Sequence, residues 1–540
     1  MGFHGNNLID VGQTFRENEV LITGTSGFLG KVVLGLLMDR YPDFKHLHVL
    51  MRPAKSLSPA ARFEREVLGS PALRPVVERL KRERPEVDLN RKITVWPGDV
   101  GLPAAGLADH EVRGLAGRLG LIINNAGRVD FFPPLDDSLH SNVNGVEHLT
   151  ALAGRTGARL LHVSTCFVCG AADGLVEETE AVQGFYPRRQ GPADTSFRVQ
   201  DELDYCRERV AEIYRSAGVN GDPARVARRR PRELSQRLTA LGRQRAEHWG
   251  WVNTYTYSKS LGEQVLAAEA QVPWTIVRPA IIESSISFPF PGWIEGGRTA
   301  APLVLMALGG LKEWPMRRDA PLEVVPVDEV AAAILVAGAL LLHGRHQPVY
   351  QLASADLNPI HLEPLVRLLH DEARRLNANG GGSNAHAGRP MVQRLAAPPR
   401  PGGPRFVSAA EARASRARQE RRVERLQSFI SRTRSLLEAL SLPGHRRLAG
   451  WSTALRAFGL QSSFREQTLE QYLPFVLHNR YVFECENIRA AYALINPEDR
   501  ARLPWAPEKI DWERYWTENQ IRGIQKWVQP GAVKDWTIQV

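Results

Sequence analysis

Short apolar runs alternate with stretches of helical periodicity over the first two thirds of the chain. The apolar runs are residues 20–22, 47–51, 92–101, 121–132, 160–170 and 274–285. Between them, helical spacing is seen in residues 31–40, 60–86, from about 140, and 251–270. Such short runs are typical of strands buried on both faces, and strands that alternate with helices form parallel sheets. The pattern predicts an α/β fold, a doubly wound parallel sheet of the Rossmann type.

Two later stretches continue the same pattern. Residues 301–308 form an apolar helical run, and residues 322–342 have the pattern of strand, turn and helix. Asp328 stands near the start of that last helix, and an aspartate there can accept a backbone N–H, so we predict that it is the N-cap. The longest apolar stretch, 330–342, is too short to span a bilayer, and we expect no transmembrane segment.

Two polar regions interrupt this alternation. Residues 181–250 are polar and arginine-rich and predict a helical insert, whose charge run is interpreted as a solvated face. Residues 377–404 contain mostly Gly, Ser, Ala, Pro and Arg, which cannot bury enough apolar area to offset the entropy of ordering. They predict a linker, followed by a basic helix over 408–445 and a compact helical region over 451–540.

We therefore predict three parts. Residues 14–372 are a reductase-type Rossmann domain with a substrate lobe and the insert at about 181–250. Residues 373–407 are the linker, and residues 408–540 are an all-α C-terminal domain.

The first strand–helix–strand unit carries a glycine turn, TGTSGFLG, at residues 23–30. Gly24 permits a tight turn, Gly27 lets the backbone approach a pyrophosphate, and Gly30 lets the helix pack closely on the strand. The helix N-terminus then offers free N–H groups to phosphates, so we predict a dinucleotide site. The second strand ends at Arg52, which suits the 2′-phosphate of NADP, and Lys55 adds positive charge nearby.

The net charge indicates the kind of partner, and the cysteine content indicates the cellular compartment. The net charge of +10 suggests an acidic partner, such as a phosphorylated substrate, nucleic acid or an anionic lipid surface. Four cysteines in 540 residues form no disulfide framework and fit a reducing cytosol. The N-terminus has no basic segment followed by an apolar core, so no secretion signal is predicted. We expect a cytoplasmic protein.

Tyr255 and Lys259 form a YxxxK pair, which shares one face of a helix. An ammonium beside the phenol is expected to lower the tyrosine pKa into a range useful for proton transfer. Tyr257 competes for the role, but its i+4 partner is Leu261. Ser164 and Thr165, in the run before this helix, offer hydroxyls that complete a two-donor cradle for a carbonyl oxygen that gains charge during hydride transfer.

Cys166 and Cys169 form a CxxC pair, which raises the possibility of a redox or zinc site. The apolar run around them predicts a strand, in which residues i and i+3 point to opposite faces. The other cysteines, Cys206 and Cys485, stand alone, so we predict no metal site.

These motifs resemble a known family. TGTSGFLG, the NAG turn, Asn142, VSTCFVCG and YTYSK together resemble extended short-chain dehydrogenases/reductases. HVSTCFV, NTYTYSKSLGEQ, VRPAIIESS, PFPGWIEG and VVPVDEVA resemble, more narrowly, the fatty acyl-CoA reductases that form alcohols. YVFECENIR, INPEDR and IDWERYW resemble the helical "male sterility" tail of that group. Residues 124–127 look more like the ordinary short-chain turn, and residues 377–445 have no counterpart.

The resemblance implies roles for individual residues. Tyr255 is the proton donor, Lys259 its activator and a ribose ligand, Thr165 the catalytic hydroxyl, and Asn142 the asparagine beside the nicotinamide. The resemblance also implies the cofactor-binding residues Thr23, Gly24, Ser26, Gly27, Phe28, Leu29, Gly30, Arg52, Asp99, Val100, Asn125, Ala126, Asn142, Ser164, Tyr255, Lys259, Pro279, Ile281 and Ile282.

The implied activity is the NADPH-dependent reduction of a long-chain acyl-CoA, or an acyl carrier protein thioester, through a hemithioacetal and aldehyde to a fatty alcohol. Residues 301–308 and 464–527 are candidate walls of an acyl tunnel. Alternatives are an aldehyde-forming reductase, an extended-family epimerase or dehydratase of nucleotide sugars, and a scaffold protein that uses its basic helices. We expect no nucleic-acid partner, and peripheral membrane contact through the basic helices. Acyl chain length stays open.

Overall fold

The computed structural model describes residues 8–54, 57–179, 181–191, 193–218, 230–297, 299–379, 403–439 and 468–528. Contacts divide the chain into two compact units. One comprises Met1–Thr299, Glu323–Pro359 and Tyr481–Val540, and the other comprises Ala300–Leu322 and Ile360–Arg480. Lys55 and most of the predicted linker lie outside the described residues. The predicted three-part division stays a prediction, and its boundary at 408 does not coincide with that of these units.

The described strands are short. They are β1 Glu19–Thr23, β2 His46–Met51, β3 Ile93–Pro97, β4 Leu119–Asn124, β5 Arg159–Val163, β6 Asp173–Val176, β7 Trp274–Pro279, β8 Ile281–Glu283, β9 Glu313–Trp314, β10 Val324–Pro326, β11 Val349–Leu352, β12 Arg405–Phe406 and β13 Arg480–Phe483. Seven of them form one sheet in the order β11-β7-β5-β4-β1-β2-β3.

Every pairing in this seven-stranded sheet is parallel. β1 pairs with β2 on one side, with Val20 beside Leu47, and with β4 on the other, with Ile22 beside Ile123. The strand order reverses between β1 and β4, and ligands bind such sheets at the carboxyl ends of the strands at this point. The predicted Rossmann-type doubly wound sheet is confirmed.

Helices surround the strands. They are α1 Val11–Glu17, α2 Phe28–Arg40, α3 Pro59–Phe63, α4 Arg74–Glu83, α5 Leu89–Lys92, α6 Asp109–Leu115, α7 Leu135–Ser138, α8 Gly145–Thr156, α9 Val199–Ser216, α10 Arg232–Trp249, α11 Thr254–Glu269, α12 Ala301–Leu308, α13 Val327–Leu342, α14 Leu362–Asn379, α15 Ala409–Ala439, α16 Glu486–Ala493, α17 Pro497–Arg502, α18 Trp512–Arg514 and α19 Ile521–Gly523.

Wider and tighter helical turns complete the described chain. The π-helical turns are Glu64–Leu68, Leu139–Asn144, Pro474–His478, Tyr515–Gln520 and Ile524–Val528. The 3₁₀ turns are Pro103–Gly106, Cys166–Cys169 and Pro507–Lys509. Cys166–Cys169 was predicted as strand, and that prediction is wrong. β5 ends at Val163, and Thr165 caps the turn by accepting the N–H of Phe167. The apolar run simply continues past the end of the strand.

Helix α13 explains the longest apolar stretch of the sequence. All sixteen of its residues are buried, and it packs on α2 and on β4, β5 and β7. A helix that is apolar on every side suits such a central position. No described helix is long and apolar enough to cross a membrane.

The N-cap of α13 is Pro326, so the predicted capping role of Asp328 is wrong. Asp328 lies in the first turn, and its carboxylate accepts the backbone N–H groups of Ile286, Ser287 and Phe288 at 2.8–2.9 Å. The side chain therefore fixes the loop that follows β8 instead of the start of its own helix.

The arginine-rich insert has a buried side. Leu203 and Val210 of α9 and Leu234, Leu238 and Leu241 of α10 belong to one apolar cluster, which also holds residues of α7 and α11. The charged side chains of α10, such as Arg232, Arg237 and Arg243, are exposed, so the charge run forms a solvated face in the described part, and the buried side is an addition to that interpretation. Helix α10 places its leucines on one side and its arginines mostly on the other, and the leucine side supports α11.

The C-terminal segment from Tyr481 belongs to the same unit as the parallel sheet. Strand β13 pairs with β6. Buried carboxylates hold the segment: Glu323 accepts the N–H of Phe483 at 2.7 Å, and Glu178 accepts that of Asn487 at 2.7 Å. Near the other end of the chain, Ile9 forms a bridge with Ile495.

The second unit is built mainly from helices. Its α12 packs against α14, and β9 pairs in parallel with β12, with Glu313 beside Arg405 and Trp314 beside Phe406. Trp314 is fully buried, and its indole N–H is within hydrogen-bonding distance of Leu311 O and of His370. The long helix α15 follows β12.

Candidate functional site

The glycine turn between β1 and α2 is packed against the turn that follows β4. Gly24 has φ +72°, and a Cβ there would lie 2.6 Å from the carbonyl oxygen of Asn125. A Cβ on Gly30 would lie 2.2 Å from the carbonyl oxygen of Gly24. Both positions therefore require glycine, as predicted, so no side chain at these positions covers the backbone where α2 begins. The helix starts at Phe28 with no side-chain cap, so its first N–H groups are available to an anion.

The turn after β4 is held by side chains of the sheet. The hydroxyl of Thr23 donates to Asn124 Oδ1 at 2.9 Å and accepts the N–H of Ala126 at 3.1 Å. Asn124 in turn donates to Nδ1 of the buried His162 at 3.1 Å. Asn125 and Ala126 are thereby fixed beside the glycine turn, and both are half-buried. His162 was not predicted, because no local motif marks it.

Asn142 joins three parts of the site. Its Oδ1 accepts the N–H of Arg128 at 2.7 Å, and its Nδ2 donates to Arg128 O and to Ser258 Oγ at 3.0 and 2.9 Å. Its backbone oxygen lies 2.2 Å from where a Cβ on Gly262 would stand. The π-helical turn that carries Asn142 therefore packs directly on α11.

Helix α11 carries the Tyr–Lys pair, and Asn253 caps it by accepting the N–H of Thr256 at 2.8 Å. Tyr255 is half-buried, and its side-chain interaction with Thr165 acts to lower its pKa. Lys259 is buried, and its Nζ donates to the backbone oxygen of Val163, the last residue of β5, at 2.6 Å. The structure thus brings Thr165, Tyr255 and Lys259 together at the carboxyl end of β5.

The electrostatics of this group differ from the expectation. Burial raises the pKa of Tyr255 to about 12, and the side-chain interaction with Thr165 only partly opposes that shift. Burial lowers the pKa of Lys259 to about 8, and Glu263 counteracts it. The expected lowering of the tyrosine pKa by the ammonium is therefore not found in this state, because Lys259 is directed to the Val163 carbonyl.

Ser164 and Thr165 have different surroundings. The N–H of Ser164 donates to Val277 O at 2.7 Å, and its buried hydroxyl has no hydrogen-bond partner in the described part of the chain. The Thr165 hydroxyl donates to the backbone oxygen of Pro279 at 3.3 Å. A buried hydroxyl without a partner is costly, and a ligand group here would satisfy it. Ile281 and Ile282, just beyond Pro279, are half-buried.

Arg52 directly follows β2, at the carboxyl end of that strand. Its side chain is 63% exposed, and its Nη1 lies 3.9 Å from Asp99 Oδ2. Asp99 also accepts the N–H of Gly101 at 3.0 Å and lies 3.5 Å from His140 Nε2. Burial favours a higher pKa for Asp99, but His140 and Gly101 outweigh it and lower the pKa. The hydrogen bond that His140 donates to Asp99 raises the pKa of His140.

The remaining predicted cofactor residues lie beside Asp99 or at the glycine turn. Val100 is buried in the core beside Asp99, Ser26 and Phe28 are half-buried at the glycine turn, and Leu29 is buried in the first turn of α2. Gly27 donates its N–H to Gly24 O at 3.0 Å. In the first unit the predicted cofactor residues thus lie along the edge of the sheet where the parallel strands have their carboxyl ends.

Tyr257, the competitor of Tyr255, has another environment. It is fully buried, with its hydroxyl against Glu202 and 3.2 Å from Cys206 Sγ. Glu202 is also paired with Arg245 at 2.6 Å. Glu202 and Arg245 were not predicted. The helical spacing of the leucines in α10 could have indicated its buried face, but it could not identify the partners.

Neither cysteine of the CxxC motif forms a disulfide within the described residues. The Cys166 thiol donates to the backbone oxygen of Arg278 at 2.8 Å, and burial raises its pKa well above the usual value. No group of His, Cys, Asp and Glu side chains in the described residues could hold a metal ion.

A parallel doubly wound sheet, a glycine turn at its switch point and a Thr–Tyr–Lys group at the neighbouring strand end define an extended short-chain dehydrogenase/reductase fold with a nicotinamide site. A family model described as "Male sterility protein", an NAD-binding domain, matches residues 22–334, which is more than half of the chain. The chain therefore belongs to the Male sterility protein family.

Relatives extend the match beyond that domain. "Probable fatty acyl-CoA reductase 4" of Arabidopsis thaliana is 27% identical over 96% of this chain and 98% of its own length. The "Alcohol-forming fatty acyl-CoA reductase" of Simmondsia chinensis is 28% identical over 70% of this chain and 75% of its own. The predicted resemblance is confirmed, and the chain is a nicotinamide-dependent reductase.

Solved structures resemble the chain more distantly. The reductase domain of a non-ribosomal peptide synthetase from Mycobacterium tuberculosis is 18% identical over 95% of both chains, with a TM-score of 0.48. The terminal reductase domain of the myxalamid pathway is 17% identical over 90% of this chain and 89% of its own, with a TM-score of 0.47.

Proposed function

We propose that this protein reduces long-chain acyl-CoA, or an acyl carrier protein thioester, to a fatty alcohol through a hemithioacetal and an aldehyde. The observation that carries the proposal is the group of Thr165, Tyr255 and Lys259 at the carboxyl end of β5. Its position at the same edge of the sheet as the glycine turn, with β4 between β5 and β1, suits hydride transfer to a carbonyl. The relatives named as fatty acyl-CoA reductases, one of them alcohol-forming, support the substrate class.

The cofactor that we propose is NADPH, which supplies the hydride when it is bound. The bare backbone at Gly24 and Gly30 and the open N-terminus of α2 suit its pyrophosphate. Arg52 is the candidate ligand of the 2′-phosphate, because its exposed guanidinium lies 3.9 Å from Asp99 and is therefore not held by a tight ion pair. The residues that we propose to hold NADPH are those named from the sequence.

Tyr255 is the proposed proton donor. Its raised pKa keeps the phenol protonated at neutral pH, so it can donate a hydrogen bond and then a proton to an oxygen that gains charge. Thr165 is the second donor of this cradle, since its side chain already interacts with that of Tyr255 and its hydroxyl can turn to a substrate oxygen. The proposed role of Lys259 is to position Tyr255 and to bind the ribose.

The same donors can serve both reductions, because hydride transfer to a thioester and to an aldehyde builds negative oxygen at one place. The aldehyde must then stay, or rebind, while the cofactor is exchanged. An apolar acyl tunnel would retain it, since each buried methylene contributes about 0.8 kcal/mol. The walls predicted at 301–308 and 464–527 stay a proposal.

Product stoichiometry tests this function. With palmitoyl-CoA and NADPH, we expect hexadecanol as the main product and about two NADPH oxidised per free CoA released, since reduction of a thioester to an alcohol takes two hydrides. Free hexadecanal must also be reduced. A ratio near one, with aldehyde trapped by hydrazine and no alcohol, would assign the protein to the aldehyde-forming reductases. No oxidation with any acyl thioester would refute the proposal.

Tyr255→Phe tests the site. It removes the proton donor but keeps the ring, so we expect kcat to fall by roughly 10²–10⁴ with NADPH binding retained. Tyr257→Phe is the matched control on the same helix. It loses the bonds to Glu202 and Cys206, and we expect a loss of stability of about 1–3 kcal/mol with little change in kcat below the unfolding transition. Retained turnover in Tyr255→Phe would contradict the assigned role.

A further inference from the structure

Helix α15 has two different faces. Four of its buried or half-buried apolar positions, Ala412, Val423, Leu426 and Ile430, share one side of the helix. The opposite side carries six exposed residues, which lie at Arg418 and at 3, 4, 7, 11 and 14 residues after it. These are Arg418, Arg421, Arg422, Arg425, Phe429 and Arg432, which we name the basic stripe. Over fourteen residue steps the stripe is about 21 Å long.

The arginines of the stripe are not neutralised by the described part of the chain. None of the five forms an ion pair or hydrogen bond with another described residue. Two acidic side chains are described in this helix. Glu424 is three residues from Arg421 but forms no ion pair with a described arginine of the stripe, and Glu411 already accepts hydrogen bonds from Ser408. Most other exposed arginines of the chain, such as Arg65 and Arg82, have an acidic partner.

Phe429 lies within the stripe and is 67% exposed, the largest exposed fraction of any large apolar side chain in the described chain. An aromatic ring between arginines is typical of a surface that meets a bilayer, where the ring enters the headgroup region and the guanidinium groups bind phosphates. An acidic protein partner would use the arginines but would give no reason for the exposed ring.

We propose that the basic stripe is a docking surface for an anionic phospholipid bilayer. The biological role of this docking rests on the proposed function. Long-chain acyl substrates and fatty alcohols partition into bilayers, so docking would bring the enzyme to them. The net charge of +10 favours the same surface. Attraction of this kind extends about one Debye length and weakens with salt.

Vesicle co-sedimentation tests the proposal. The full-length protein is mixed with vesicles of phosphatidylcholine alone, or of equal parts phosphatidylcholine and phosphatidylglycerol, at low and high salt. We expect binding to the anionic vesicles at low salt only. The triple variant Arg418→Gln, Arg422→Gln, Arg425→Gln should lose about 100-fold in partition coefficient. Phe429→Ser should weaken binding with less change in its salt dependence.

The matched control removes the same charge elsewhere. Arg65→Gln, Arg82→Gln, Arg91→Gln changes three exposed arginines of the other unit, with exposed fractions of 66, 71 and 88%. It should keep vesicle binding, and both triples should keep the wild-type Tm. Equal losses in the two triples, an unchanged stripe variant, or equal binding to neutral and anionic vesicles would overturn the proposal. Stripe-dependent binding to polyglutamate or duplex DNA without vesicle binding would also overturn it.

Activity separates this proposal from the function on which it rests. With octanoyl-CoA, a water-soluble substrate, the stripe triple should oxidise NADPH at the wild-type rate. If no acyl-CoA is reduced but binding to anionic vesicles still depends on the stripe, the proposed function fails and the docking surface stands. If reduction occurs and vesicle binding is absent, the docking surface fails alone.

Discussion

Gly262→Ala should damage the site by moving helix α11. The added Cβ would lie 2.2 Å from the backbone oxygen of Asn142. An ordinary contact needs at least 3.4 Å, so the helix and the turn must separate by about 1.2 Å. The turn cannot yield easily, because the Asn142 side chain is bonded to Arg128 and Ser258.

The expected loss follows from this displacement. Lys259 lies three residues before Gly262, so it moves with the helix away from the Val163 carbonyl, and Tyr255 moves away from Thr165. A misplacement of about 1 Å at a reacting group can lower the rate by about 100-fold, and overpacking costs about 1–3 kcal/mol in stability. We therefore expect kcat for palmitoyl-CoA reduction to fall about 100-fold with a measurable drop in Tm.

Gly154→Ala on helix α8 is the control. No atom lies within 4 Å of the position that a Cβ on Gly154 would take, so we expect unchanged kcat and a gain of about 0.4–1 kcal/mol in stability. Steady-state kinetics and urea unfolding of both variants provide the measurements. Wild-type kcat and stability in Gly262→Ala would refute the close packing of α11 on the Asn142 turn.

Three further outcomes are expected. Arg52→Glu should weaken NADPH binding by about 1.5–3 kcal/mol and NADH binding by less, measured by fluorescence titration; equal losses would make Arg52 structural. Arg245→Met leaves Glu202 buried without its cation and should cost about 3–5 kcal/mol in urea unfolding, and Glu202→Met in addition should recover part of it. Burial raises the pKa of Glu323 to about 7, above its usual 4.5, so its stabilising contribution is present below about pH 4.5 and is lost as the pH rises through 7. The free energy of unfolding of the wild type should therefore fall between pH 4.5 and 7, and Glu323→Gln should reduce the slope of this fall by up to about 1.4 kcal/mol per pH unit. The same slope in both proteins would contradict the raised pKa of Glu323.

The parts of the fold that depend on local sequence could be predicted. Gly24 and Gly30 are required by contacts within a single turn and the neighbouring strand end, and the short strands carry their own apolar signal. Thr165 could be predicted as part of the site because chain order brings the end of β5 next to α11 in a doubly wound sheet.

Features that depend on distant partners could not be predicted. Glu202 meets Tyr257 across 55 residues of sequence, and Asp328 meets the 286–288 loop across about 40. Nothing in the composition of either segment identifies its partner. The end of β5 was missed for a related reason, since VSTCFVCG stays apolar beyond Val163 while the backbone turns.

The attachment of the C-terminal segment has a consequence for how this protein is made. Glu323 and Glu178 direct their carboxylates to N–H groups of residues 483 and 487, and Asp499 accepts the N–H of Val11 and the hydroxyl of Tyr41. A nascent chain that ends before Tyr481 lacks the N–H donors of residues 483 and 487 and the Asp499 acceptor. Glu323 then keeps the N–H groups of Ser354 and Ala355, and Glu178 keeps that of Gln351, but each carboxylate lacks one donor.

Assembly of this unit is therefore expected to be complete only after residues 481–499 have been synthesised. Residues 14–372 expressed alone would leave Glu323 and Glu178 each without one N–H donor, and each lost bond costs about 1–3 kcal/mol. A separately supplied segment from Tyr481 onward would restore them. The two pieces would behave as complementing fragments of one folding unit, because neither end of this chain completes its contacts without the other.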